Sequence, residues 1–117
     1  MNPQTITDWV IETHALAKRK GWWDGIGNPS ADEILSKLML ITSELGEAAE
    51  RVRAADFKPD EFWRDGNKPD GFGVELADAV IQIMDLCGKL GVNLELRMVD
   101  KHEFNQSRPH KHGGKRA

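Results

Sequence analysis

Residues 38–52, LMLITSELGEAAERV, and residues 73–86, GVELADAVIQIMDL, decide how this chain folds. Each carries two carboxylates three positions apart: Glu44 and Glu47 in the first, Glu75 and Asp78 in the second. Residues three apart on a helix lie one above the other, so each pair presents both acids in one direction. In the second stretch, Leu76, Ala77, Val80, Ile81, Ile83, Met84, Leu86, Cys87 and Leu90 cover most of the helical circumference. Glu75, Asp78, Gln82 and Asp85 fall on one narrow stripe. A helix apolar nearly all round is expected to be buried, and its acids must then be neutralised, paired or bound to metal. A lone Glu-x-x-Glu is ordinarily a surface feature. Two such pairs on apolar helices, joined by a chain return, are expected to face each other instead. Four converging carboxylates repel unless a cation neutralises them. Hard oxygen ligands suit Mg2+, or Mn2+, rather than zinc.

Outward from these stretches the chain reads as helices. A first helix is expected over residues 5–20, capped by Thr5 or Thr7 and stopped by Gly21. Ser30 followed by Glu33 is a capping-box signature, so a second helix starts near Ala31 and runs to about Ala55. Residues 56–73 read as a loop in which Asp60–Arg64 forms one helical turn. The third helix is expected from Val74 to Leu90, stopped by Gly91, and the fourth from the Asn93 cap to Gln106. The fold class is all-α: a short bundle of about four helices whose second and third members form a central antiparallel pair. Residues 1–117 make one domain, with 105–117 a basic tail. Because both central helices are apolar on more than one face, a second copy is expected to cover the remainder, giving a homodimer or homotetramer.

Bulk properties narrow the function. The hydrophobic content of 39% and charged content of 30% are ordinary for a globular chain. No apolar run approaches the roughly 20 residues of a membrane span. One cysteine, Cys87, excludes an intrachain disulfide and fits a reducing, cytoplasmic setting, where it reads as a small core residue. The net charge is −3. Residues 105–117 contain Arg108, Lys111, Lys115 and Arg116 and no acid, and removing those four charges leaves −7 for the body. An acidic body argues against a nucleic-acid polymer as the main ligand and suits metal binding.

Three further features bear on a ligand. Lys101, Asn105 and Arg108 stand at i, i+4 and i+7 on one helix face. A point charge, a neutral donor and a planar fork there would bind phosphate oxygens, or else form a solvated basic helix end. Of the adjacent Trp22 and Trp23, one is expected to offer a plane for a base, with His14 reaching its edge. The alternative is that Trp22 packs the loop onto the bundle and His14 is a satisfied histidine of the core or of an interface. Trp9 and Trp63 read as packing residues. The tail HKHGGKRA reads either as a basic terminus or as a cover for an anionic substrate.

SELGEAAE followed by GVELADAVIQIMDL resembles the paired motif of the MazG-like all-α nucleoside triphosphate pyrophosphohydrolases, with KRKGWW and KHEFNQSRPHKHGGK in the corresponding flanks. The resemblance spans residues 5 to 115. It implies Mg2+-dependent hydrolysis of (deoxy)nucleoside triphosphates to the monophosphate and pyrophosphate, as a housecleaning activity. Glu44, Glu47, Glu75 and Asp78 would be the metal ligands and catalytic acids. Lys101, Asn105 and Arg108 would hold phosphates, with His14 and Trp23 near the base. Ser43 stands where many members carry glutamate, with Glu50 or Asp85 as substitutes, and the aromatic base contact of the dCTP-preferring branch is replaced by Arg53, Ala54 and Ala55. Phosphoribosyl-ATP pyrophosphohydrolase, and a non-catalytic helical dimer binding a nucleotide or protein, remain the alternatives.

Overall fold

The structure is a computed structural model and describes residues 2–110. Four helices follow in order: α1 (Ile6–Arg19), α2 (Ala31–Val52), α3 (Phe72–Leu90) and α4 (Leu94–Ser107). Two short strands, β1 (Trp63–Asp65) and β2 (Lys68–Asp70), separate α2 from α3. The all-α expectation therefore holds, with a hairpin added. The basic tail beyond residue 110 lies outside the described residues.

Local chemistry sets the helix ends. Thr5 and Ser30 each accept a hydrogen bond from the backbone three residues on, while Asp8 and Glu33 reach back to the cap. These reciprocal bonds satisfy donors that a helix start otherwise leaves bare. Gly91, at φ 71°, closes α3 in the left-handed conformation that a side chain disfavours. Asn93 caps α4 through Leu96 N–H.

The loop between α2 and α3 departs from expectation. Asp60–Arg64 is not a helical turn. Residues 63–65 pair antiparallel with 68–70 across the two-residue turn Gly66–Asn67, in the register Trp63 with Asp70 and Asp65 with Lys68. Helix α2 stops at Val52, and Arg51 near its end grips Glu61 with two hydrogen bonds of 2.5 and 2.6 Å. The same Glu61 carboxylate accepts from Phe72 N–H at 3.2 Å, capping α3 two residues before its expected start. One ion pair thus fixes the end of α2 against the beginning of α3. The Arg51 guanidinium also holds the Glu61 carboxyl below its ordinary range.

Helix α3 is the centre of the bundle, flanked by α2 and α1. Gln82 bonds Glu44, and the Glu47 charge reaches Asp78, so α2 and α3 run antiparallel. On the other side Gly88 admits α1: a Cβ there would lie 2.6 Å from the His14 Cβ and 3.3 Å from the Val10 carbonyl. Gly88→Val is accordingly expected to push α1 outward and destabilise the chain by about 1–3 kcal/mol, measured as a lowered midpoint in urea. An unchanged midpoint would mean the contact is not tight. The core is small, centred on Ala17, Trp23, Ile41, Ala79 and Leu86. Helix α3 is not buried all round in a single chain, because Leu76, Val80, Ile81 and Ile83 are exposed. Helix α4 rests on α1 and buries no residue.

Candidate metal centre and adjoining cavity

Antiparallel packing of α2 on α3 turns the two acid pairs toward each other. Glu44, Glu75 and Asp78 each offer a carboxylate oxygen, and these atoms all lie within 4.8 Å of one another. Glu44 and Glu75 are half-buried, and Asp78 is exposed at the mouth. Glu47 is exposed on the rim of the group, outside the three converging acids but near enough for its charge to act on Glu75 and Asp78. The acids are thus less removed from water than the apolar circumference of α3 implied.

The electrostatics of the group are those of crowded acids. Burial, then Glu47 and Glu44, push the Glu75 carboxyl up to about 7. Burial and the Glu47 charge also raise Asp78; Lys68 of the hairpin opposes this and Asp70 adds to it. The second Glu75 oxygen, Oε2, is buried without a hydrogen-bond partner. Such an oxygen carries an unmet desolvation cost that a proton or a cation would relieve. Together with an all-oxygen donor set, this fits a hard divalent ion.

Beside the acids lies a cavity of about 560 Å3. Asp78 and Gln82 belong to its wall, and the Gln82 Nε2 donates to Glu44 Oε1 at 3.1 Å. The acid cluster and the cavity are therefore continuous. The opposite wall is aromatic, from Trp9, Trp22 and Trp23. Trp9 is not the packing residue its sequence position implied, since it is 41% exposed on this wall. Trp63, likewise read as packing, stands half-exposed on the hairpin with the Arg51 guanidinium 4.9 Å from its ring centre.

Trp23, in the cavity wall, and His14 are brought together on Asp85. Trp23 is 5% exposed, and its indole N–H donates to Asp85 at 2.9 and 3.1 Å. His14 Nδ1 lies 2.8 Å from Asp85 Oδ1, and Lys37 Nζ sits 4.5 Å from the Trp23 ring centre. Trp23 is a fixed floor whose polar edge and one face are already engaged, while Trp22 is the exposed ring of the pair. Asp85 is bonded within this network and Glu50 to Arg53, and neither is among the three acids whose oxygens converge.

Lys101, Asn105 and Arg108 are not joined to the acids in a single chain. They sit on α4, where Lys101 and Asn105 line a shallow groove with Arg97 and His102. Lys101 and Arg108 both cover the Phe104 ring. No α4 residue lines the cavity beside the acids. Burial pushes the Cys87 thiol up, which keeps it protonated and unreactive.

The sequence reading placed Gln82 on the polar stripe of α3 without giving it a role, and passed over Lys37, Lys68 and Asp70. Gln82 carried a signal, because it shares a stripe with both acids of α3. Lys68 and Asp70 carried none, because they reach Asp78 only through the hairpin. No helix among the described residues is long and apolar enough to cross a membrane. Comparison of the chain with protein-family models, with curated proteins and with solved structures finds no match.

Proposed function

We propose that this protein is a divalent-cation-dependent hydrolase of (deoxy)nucleoside triphosphates, MazG-like in its acid arrangement, releasing the monophosphate and pyrophosphate. The observation that carries the reading is the junction at Asp78: one side chain belongs both to the three-acid cluster and to the wall of the aromatic cavity. A ligand with a flat apolar end and a polyanionic end fits that junction, and a nucleotide has both.

In this reading Glu44, Glu75 and Asp78 hold Mg2+, or Mn2+, through their converging oxygens. The bound ion supplies the positive charge that neutralises phosphate oxygens and lowers the pKa of an attacking water. Glu47, on the rim and free of metal duty, is the base that takes the water's proton. Gln82 keeps Glu44 turned toward the other acids through its amide. Trp9 and Trp22 sandwich the base over the Trp23 floor, and Lys37 lies close enough to meet a sugar or phosphate oxygen. The Lys101, Asn105 and Arg108 face binds phosphate when another copy of the chain brings it to the site, which makes a homodimer or homotetramer the working form. The proposed setting is cytoplasmic.

The test is phosphate release after coupling to inorganic pyrophosphatase, across canonical and modified (d)NTPs and phosphoribosyl-ATP, with and without Mg2+. Metal-dependent release from at least one (d)NTP, at rates about 10⁶-fold or more above the uncatalysed reaction, is expected. Turnover of phosphoribosyl-ATP alone would reassign the substrate. No metal-dependent turnover of any of them would leave a binding module.

A further inference from the structure

Glu12 is a free acceptor in the wall of the cavity. It lies on the α1 face that also carries Trp9, Thr13 and Leu16, and all four line the wall. The neighbouring polar side chains are spent. The Thr13 hydroxyl donates to the Trp9 carbonyl at 2.8 Å, the Gln82 amide nitrogen donates to Glu44, and Asp85 holds Trp23 and His14. No hydrogen bond or ion pair among the described residues engages Glu12, which is half-buried. Its height along the bundle bears on what it meets. Helix α1 runs antiparallel to α3: His14 meets Asp85, the Val10 carbonyl abuts Gly88, and Thr7 N–H bonds Glu95 beyond the end of α3. Glu12 therefore stands level with the Asp85–Gly88 turn, whereas Asp78 lies seven residues back, about 10 Å along α3. That offset matches the reach from a phosphate at the acids, across a sugar, to the far edge of a base. The cavity, at about 560 Å3, has the size of a small-molecule site.

We infer that Glu12 selects guanine-type bases at this site, accepting from the ring N1–H and the exocyclic amino group together. The inference rests on the nucleotide reading above and names the base which that reading leaves open. Trp9 and Glu12 stand one helical turn apart on the same face, so a base stacked on the Trp9 ring presents its edge to the carboxylate. An ionised carboxylate only accepts, and its two oxygens suit two parallel N–H donors. Of the ordinary bases, guanine alone carries two adjacent donors on its outer edge. Adenine and cytosine set one amino group beside a ring nitrogen that accepts, and thymine sets one N–H between two carbonyls. Each of these turns at least one lone pair toward Glu12. Hypoxanthine keeps the ring N–H and lacks the amino group, so it isolates the second hydrogen bond. Losing one hydrogen bond to a charged acceptor corresponds to about 10- to 100-fold in discrimination.

The test compares dGTP, dITP, dATP, dCTP and dTTP under Mg2+ in the wild type and in Glu12→Gln. In the wild type, kcat/KM should favour dGTP over dITP by about 10-fold or more. Glu12→Gln exchanges one acceptor for a donor, the pattern that suits adenine, so the dGTP-to-dATP ratio should fall by about 10-fold or more. A merely structural role for Glu12 would lower all five substrates together and leave the ratios as they were. Calorimetric titration with dGMP and dIMP in EDTA reads the same edge without turnover. Tighter binding of dGMP, lost in the variant, is the expected result. Turnover with a dGTP-to-dITP ratio near one, or with ratios that the substitution does not move, would overturn the base assignment and leave the hydrolase standing. No turnover of any triphosphate, with dGMP still preferred through Glu12, would overturn the hydrolase and keep the guanine site. No turnover and equal binding of dGMP and dIMP would overturn both.

Discussion

Glu75→Gln is expected to reduce metal-dependent turnover by about 10³-fold, the scale of losing several kcal/mol of charge stabilisation at the transition state. The substitution keeps the shape of the side chain and removes the charge that a cation requires. It also removes the carboxyl whose buried Oε2 has no partner and which burial, Glu47 and Glu44 push up. The fold should therefore survive, and the metal-free variant should be at least as stable as the wild type. Phosphate release, Mn2+ binding followed by electron paramagnetic resonance, and far-ultraviolet circular dichroism together make the check. Lost turnover with lost Mn2+ affinity and intact helicity is the expected pattern. Wild-type Mn2+ affinity would remove Glu75 from the metal site.

A second large effect concerns pH. The folded chain pushes the Glu75 carboxyl from an ordinary 4.5 up to about 7, so the metal-free fold binds this proton more tightly than the unfolded chain does. Its contribution to stability is complete below 4.5 and is lost as pH rises through about 7. Asp78, raised for the same reasons, acts in the same direction. A divalent ion competes with these protons for the same oxygens. Added Mg2+ should raise Tm little at pH 5.5 and clearly at pH 8, and chelation should reverse the gain. At saturating metal of about 100 times Kd the stabilisation is about 2.7 kcal/mol. An Mg2+ effect equal at both pH values would mean that these acids do not form the binding site.

The parts of this molecule that were legible in its sequence are those written in local repeats. The capping boxes at Thr5 and Ser30, the stop at Gly91 and the three-residue spacing of the acids each depend on neighbours within one helical turn. Their structural outcomes followed, including the approach of Glu44, Glu75 and Asp78. What was not legible depends on long-range partners. The start of α3 is set by Glu61, eleven residues upstream, and only the fold reveals that carboxylate as a cap. The hairpin did have a signal in Gly66–Asn67, a dipeptide that suits a two-residue turn, but WRD and KPD lack the alternation that marks a half-buried strand. Trp23 shows the limit from another direction. Its neighbours in sequence placed it in a loop, whereas Asp85, sixty-two positions away, holds its indole in the core.

The Arg51–Glu61–Phe72 clamp has a consequence for how this chain tolerates change. It closes a circuit from the last turn of α2 to the first turn of α3, so the axial offset between the two acid pairs is set before the hairpin begins. Residues 62–70 hang outside that circuit, and lengthening a surface loop costs only about 0.6 kcal/mol per doubling. The Gly66–Asn67 tip is thus a place where a reporter peptide or a foreign hairpin could be grafted while the spacing of the carboxylates stays as it is.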